Sequence, residues 1–185
     1  MSEDEMRKVR WRRISMVFQA AMNSLNPVYK VGDQIVEALE THLPQLTQEQ
    51  MRKRVEDLFS MVGLDPKLVD QYPHEYSGGM RQRAVIAMAL ACHPDLIIAD
   101  EPTTALDVIV QDSLLREMTE LQKQLGMAMI YISHDIAVIA EVSDHIGVMY
   151  AGKLVELGTS EDVFHHPVHP YTQGLLSSFP TIIGP

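Results

Sequence analysis

The chain has 185 residues, 46% of them hydrophobic and 22% charged, with a formal net charge of -10. That length suits one domain with a real core, and the composition is that of an ordinary globular protein rather than a disordered or fibrous one. The acidic balance argues against a broad nucleic-acid surface and against adhesion to anionic lipid. No apolar run reaches the roughly 20 residues of a membrane-spanning helix, so no direct membrane insertion is expected. Any membrane connection runs through a partner.

The acidic start Met1 to Glu5 does not resemble a signal peptide, and the basic run Arg7 to Arg13 reads as a solvated face. The single cysteine, Cys92, lies in the apolar run Ala87 to Cys92 and reads as a small buried hydrophobe in a reducing compartment. Ile14 to Phe18 reads as a short buried strand that delivers Gln19 to its end. Asn26-Pro27 marks a turn before a helical region whose best-defined helix begins near Thr47. There Thr47 and Gln50 form a capping box, Met51, Val55, Leu58, Phe59 and Val62 share one face, and Gly63 suits the stop.

From Tyr72 the pattern changes. YPHEYSGGMRQR leads into a helix rich in Ala, Met and Ile that stops at His93-Pro94, and Leu96 to Ala99 then reads as a buried parallel strand presenting Asp100 and Glu101. The helix after Asp107 carries Leu114, Met118, Leu121 and Leu125 on one stripe and stops at Gly126. Met127 to Ile132 reads as a second buried strand ending in Ser133-His134-Asp135. Strand, helix and strand in this order imply a parallel pair with a right-handed crossover, so Asp100, Glu101 and His134 should gather at the carboxyl ends. The rest reads as strands at Ile146 to Tyr150 and Leu154 to Leu157 around an Ala151-Gly152-Lys153 turn, with short helices at Ser160 to Phe164 and Thr172 to Ser178.

Several of these residues suit phosphoryl transfer. Asp100 and Glu101 after an apolar strand can serve Mg²⁺ and an attacking water; the bland alternative is a strand end capped by two solvated acids. Ser77-Gly78-Gly79 before a helix offers a hydroxyl and open N–H groups to phosphate, with Arg81 and Arg83 adding positive charge, or it is simply an N-cap and its turn. His134 can contact a γ-phosphate or be an ordinary structural histidine. Gln19 can bridge metal and water or hydrogen-bond a loop. His165, His166 and His169 lie close in sequence, but proline-spaced histidines rarely reach a closed metal geometry.

Taken in order, Gln19, Tyr76 to Gln82 (YSGGMRQ), Leu96 to Pro102 (LIIADEP), Ala105-Leu106-Asp107 and Ser133-His134-Asp135 resemble the Q-loop, signature, Walker B, D-loop and H-loop of ATP-binding cassette (ABC) ATPases. The resemblance covers nearly the whole chain. It implies a P-loop NTPase-like α/β fold, a partial parallel sheet flanked by helices with an inserted helical subdomain. Residues 1–165 would be a partial ATPase domain, with the Q-loop and helical subdomain at about 20–76, and 166–185 the start of a C-terminal extension. It further implies ATP and Mg²⁺ as cofactors: Asp100 and Gln19 at the metal, Glu101 and His134 catalytic, and Ser77, Gly78, Gly79 and Asp107 at nucleotide across a head-to-tail pair with a second ABC ATPase subunit. Met80 in the signature, SLNP at Ser24 to Pro27 and HPYTQGLL at His169 to Leu176 resemble the oligopeptide and dipeptide importers. Transmembrane permease subunits would be partners, and the site of action the cytoplasmic face of the cell membrane.

The phosphate-binding pattern G-x-x-x-x-G-K-[ST] does not occur: Gly147 and Gly152-Lys153 have its spacing, but Leu154 stands where the pattern needs Ser or Thr. Without that loop the carboxylates would repel phosphate, so these residues alone are expected to bind no ATP, and a sheet edge is expected to lie uncovered. Two functions remain open: an ATP-hydrolysing importer subunit in truncated form, or a catalytically silent half-cassette that complements another subunit. Intact Glu101 and His134 favour the first.

Overall fold

Three short strands run parallel at the centre of residues 1–134, the first of two compact units; residues 135–185 form the second. The computed structural model describes residues 2–19, 24–103 and 106–178. The strands β1 (Ile14–Val17), β2 (Leu96–Asp100) and β3 (Ala128–Ile132) lie in that order, with Met16 beside Ile98 and Ile98 beside Ile130. Because side chains alternate along a strand, Ser15, Val17, Ile97 and Ala99 all point into the core. Ile14, Met16, Ile130 and Ile132 point the other way and stay exposed, Ile130 at 48%.

That exposure corrects two expectations. β1 and β3 are not fully buried strands; among the described residues the sheet buries one face only. Their near-continuous apolar sequences, ISMV and AMIYI, are of the kind seen in parallel strands covered on both faces.

The helical insert holds α2 (Val31–His42), α3 (Gln48–Met61) and two 3₁₀ turns at Pro66–Asp70 and Pro73–Glu75. The α3 start is the capping box expected: Thr47 Oγ1 accepts from the Gln50 N–H and Gln50 Oε1 accepts from the Thr47 N–H. Met51, Val55, Leu58, Phe59 and Val62 are all buried, joining Val31, Ile35, Leu39 and Val69 in the core. After the last turn Gly63 takes a φ of 72°, where a residue with a Cβ would be strained.

α4 (Gly78–Leu90) is buried along most of its length through Ala84, Val85, Ile86, Ala87, Ala89 and Leu90. α5 (Val108–Leu125) buries Leu114, Leu115, Met118 and Leu121 and ends at Gly126 in the left-handed conformation, as its pattern predicts. The N-terminal segment contains a helix the charge pattern obscured. α1 (Glu3–Val9) buries nothing, but Ser2 and Glu5 form a capping box that marked its start.

In the second unit α6 (Ile136–Val142), capped by Asp135, was also unanticipated. β4 (His145–Tyr150) and β5 (Lys153–Thr159) pair antiparallel through a two-residue turn. Ala151 and Gly152 there have φ of 49° and 76°, the left-handed pair of a turn that matches strand twist. Ile146 and Val148 pack on Val163 of α7 (Ser160–His165). Glu156 of β5 accepts the Val168 and His169 N–H groups at 2.7 and 3.1 Å, just before α8 (Pro170–Ser177). The histidine tract contributes structurally here, since His169 Nδ1 caps α8 by accepting from the Tyr171 N–H.

Candidate functional site

All three strands of the sheet end on the same side, and each delivers one polar group there. Beyond β1 comes Gln19, beyond β2 comes Glu101, and beyond β3 comes His134. Gln19 Nε2 donates to Glu101 Oε2 at 2.6 Å, and His134 Nδ1 lies 2.8 Å from Glu101 Oε1. Both carboxylate oxygens are therefore engaged, one from each neighbouring strand. A carboxylate can only accept, so Nδ1 carries the proton; in the neutral tautomer Nε2 keeps a lone pair. The Gln19 amide oxygen, on the far side of the same group, is an acceptor by its chemistry.

Burial differs sharply across the trio. The Glu101 side chain is 21% exposed and that of His134 81% exposed, so the acid is largely shielded and the imidazole reaches into solvent. Glu101 also adopts a φ of 46°, uncommon for a residue with a Cβ, and its N–H donates to the Ile132 carbonyl at 2.8 Å. The β2–β3 ladder thus continues one residue beyond Asp100, which pairs in register with Ile132. Strained backbone of this kind concentrates at functional sites.

The signature residues start a helix. Ser77 is the N-cap of α4, its Oγ accepting from the Met80 N–H at 3.3 Å, and Gly78 and Gly79 form the first turn. A Cβ on Gly79 would come 3.2 Å from Val110 Cγ1, so the first turns of α4 and α5 touch there. Asp107 is the N-cap of α5, its Oδ1 accepting from the Val110 N–H at 3.0 Å. Ala105 of the Ala105–Asp107 motif lies outside the described residues, as do residues 20–23 after Gln19.

Several contacts that shape this region are not legible in the sequence pattern. Tyr76, 3% exposed, donates its hydroxyl to the Leu68 carbonyl at 2.6 Å and pins the chain just before Ser77; burial raises its hydroxyl pKa. Arg83, expected to lend positive charge to the signature turn, is instead paired with Glu117. In the SLNP segment, Gln34 accepts from the Asn26 N–H and donates to the Asn26 and Tyr29 carbonyls, while Leu25 is buried beneath. These partners lie on other turns or other helices, where no local pattern points to them.

Among the described residues no group of three or more His, Cys, Asp or Glu is placed to hold a metal by itself. The oxygen donors at the strand ends, the Asp100 carboxylate and the Gln19 amide, nevertheless suit a hard cation. Mg²⁺ usually takes one or two protein oxygens and completes its shell with water and phosphate. No helix of the described residues is long and apolar enough to cross a membrane.

Comparison with known proteins follows the same lines. Residues 1–104 match the family model for ABC transporters, and residues 155–185 match the model for the oligopeptide/dipeptide transporter C-terminal region. The oligopeptide transport ATP-binding protein OppD of Bacillus subtilis is 53% identical over 184 residues, 98% of this chain and 51% of its own length. The dipeptide transport ATP-binding protein DppD of Lactococcus lactis is 47% identical over 98% of this chain and 53% of its own. The chain thus spans about half the length of the curated relatives it matches. Among solved structures, cbiO1 of Clostridium perfringens, part of the ABC transporter complex cbiONQ, superposes with a TM-score of 0.79 at 29% identity, covering 89% of this chain and 64% of that one. The ATP-binding cassette MJ0796, in a dimeric post-hydrolysis state bound to ADP and Pi, superposes with a TM-score of 0.74 at 28% identity, covering 86% and 68%. With its motifs in order, its strand ends converging on Glu101 and the family model matched over more than half its length, the chain belongs to the ABC transporter family.

Proposed function

We propose that these residues are part of an ATP-hydrolysing subunit of an ABC importer for peptides or a related solute. The observation that carries this reading is the Glu101 carboxylate, held between Gln19 and His134 at the converging ends of three parallel strands. A carboxylate so placed is suited to orient and deprotonate a water that attacks a terminal phosphate. His134, exposed and meeting Glu101 through Nδ1, is the group for the phosphate itself. Asp100 and Gln19 would hold Mg²⁺, which when bound neutralises charge on the phosphate oxygens.

Ser77, Gly78, Gly79 and Asp107 present a hydroxyl, open backbone and a carboxylate at two adjacent helix starts. In this reading they cover nucleotide held by a second ABC ATPase subunit in a head-to-tail pair. The relatives' names support peptides as the transported class. In this reading the family implies transmembrane permease subunits as partners and the cytoplasmic face of the cell membrane as the place of action. Residues from 166 onward would begin the C-terminal extension of that importer group, with no nucleic acid among the partners.

Within the 185 residues no G-x-x-x-x-G-K-[ST] occurs, so these residues taken alone should not hold ATP. A calorimetric titration of the purified chain with ATP and Mg²⁺ tests this. Absence of detectable heat supports a site completed elsewhere in the assembly; micromolar binding would show that the carboxylate cluster has a phosphate cradle of its own and would overturn the assignment.

A further inference from the structure

Arg83 sits on α4 one turn beyond Gly79, with its side chain only 16% exposed, and it touches three elements at once. Its Nη1 donates to the Val62 carbonyl at 2.8 Å, in the turn that closes α3, and also to Glu117 Oε2; its Nη2 donates to Glu117 Oε1 at 2.9 Å. Glu117 belongs to α5 and is braced from its own helix by Ser113, whose Oγ donates to Glu117 Oε1 at 3.0 Å. Gly63 clears the approach, since a Cβ there would stand 2.8 Å from Arg83 Nη1.

A guanidinium paired through both nitrogens with one carboxylate is held in orientation as well as in distance, which a lysine cannot reproduce. The two helices joined this way are those whose first turns carry Ser77 to Gly79 and Asp107, and those turns already meet at Gly79 and Val110. The third contact, at Val62, ties the same unit to the helical insert.

We propose that Arg83 is a positioning residue: through Glu117 and the Val62 carbonyl it sets the spacing between the Ser77 and Asp107 turns and makes both move with the end of α3. The functional part of this inference rests on the reading of those two turns as the surface offered to a second subunit's nucleotide. The mechanical part stands without it. Motion of the helical insert would then reach both helix starts together rather than the signature turn alone.

Hydrogen exchange of the full chain, without nucleotide, reads this directly. The reporters are the Met80 and Arg81 amides, bonded to Ser77, and the Val110 and Gln111 amides, bonded to Asp107. In Arg83→Lys and in Glu117→Gln these four should exchange about tenfold faster than in the parent while amides inside α3 keep their rates, and the double variant should add little to either single one. Arg52→Lys, at an exposed ion pair with Asp70, serves as the comparison and should leave the four reporters unchanged. Equal acceleration everywhere would mean that Arg83 contributes to stability alone, and unchanged reporters would mean that the two turns are set by packing; either result overturns the proposal. Should Arg83→Lys fail to fold, the near-isosteric Glu117→Gln carries the same test. Because no ATP is involved, failure here is separate from failure of the nucleotide assignment.

Discussion

His134 Nδ1 lies 2.8 Å from Glu101 Oε1, joining residues at the ends of adjacent parallel strands. The contact depends on register. With Asp100 beside Ile132, the next residues on β2 and β3 lead out at the same level, so a one-residue slip would carry Glu101 or His134 to the opposite face of the sheet. The backbone bond from the Glu101 N–H to the Ile132 carbonyl holds that register at its last step.

The α3 cap should be measurable on its own. Thr47→Ala removes the hydroxyl that accepts from the Gln50 N–H and should cost about 1 kcal/mol. In urea the midpoint should fall while the slope of the transition stays the same.

Two glycines should respond very differently to alanine. A Cβ on Gly32 would stand 2.2 Å from Val69 Cγ1 and 2.8 Å from the Val69 carbonyl oxygen, so Gly32→Ala should destabilise by about 3 kcal/mol or prevent folding. Gly126 has open space around its Cβ position but a φ of 63°, so Gly126→Ala should cost only the left-handed strain, about 1 kcal/mol. Thermal melts of the two variants test the order.

Acid should release the start of α8. The Thr172 hydroxyl, close to Glu156 although outside strict hydrogen-bond geometry, and the Val168 and His169 N–H groups hold the Glu156 carboxyl below its ordinary range. A lowered pKa means that the stabilisation is present above the pKa of an unfolded glutamate and is lost as pH falls through the folded value. Protection of the Val168 and His169 amides should therefore fall as the solution is acidified below the usual glutamate range. In Glu156→Gln that pH dependence should disappear and protection should already be weaker at neutral pH.

The bare face of the sheet should make the chain associate. Ile14, Met16, Ile130 and Ile132 form an apolar surface on a sheet whose outer strands, β1 and β3, pair with no further strand among the described residues. Ile130→Glu should shift sedimentation toward monomer while the melting temperature stays within the small range typical of exposed substitutions. Unchanged association would place the sticky surface elsewhere.

Much of this could be read along the chain, because the signals are local. Thr47 with Gln50, Asp107 before its apolar stripe and Gly126 after it each encode a helix end within one turn, and each lies where the pattern puts it. Ser2 with Glu5 was an equally clear signal, masked by the density of charge around it. The Ala-rich α4 and the strands β1 to β3 were likewise legible as elements, and the order of the motifs was enough to name a family.

What the sequence by itself determined, then, is the set of elements, their ends and the chemical groups placed at those ends. Tertiary structure alone decided that Gln19 and His134 take opposite oxygens of Glu101, that Arg83 turns from the signature turn to Glu117, and that Ile130 faces outward. The physical reason is range. A cap or a stop is set by bonds that close within a few residues, whereas a strand's buried face and a side chain's distant partner depend on which elements pack beside it, and periodicity carries no record of that.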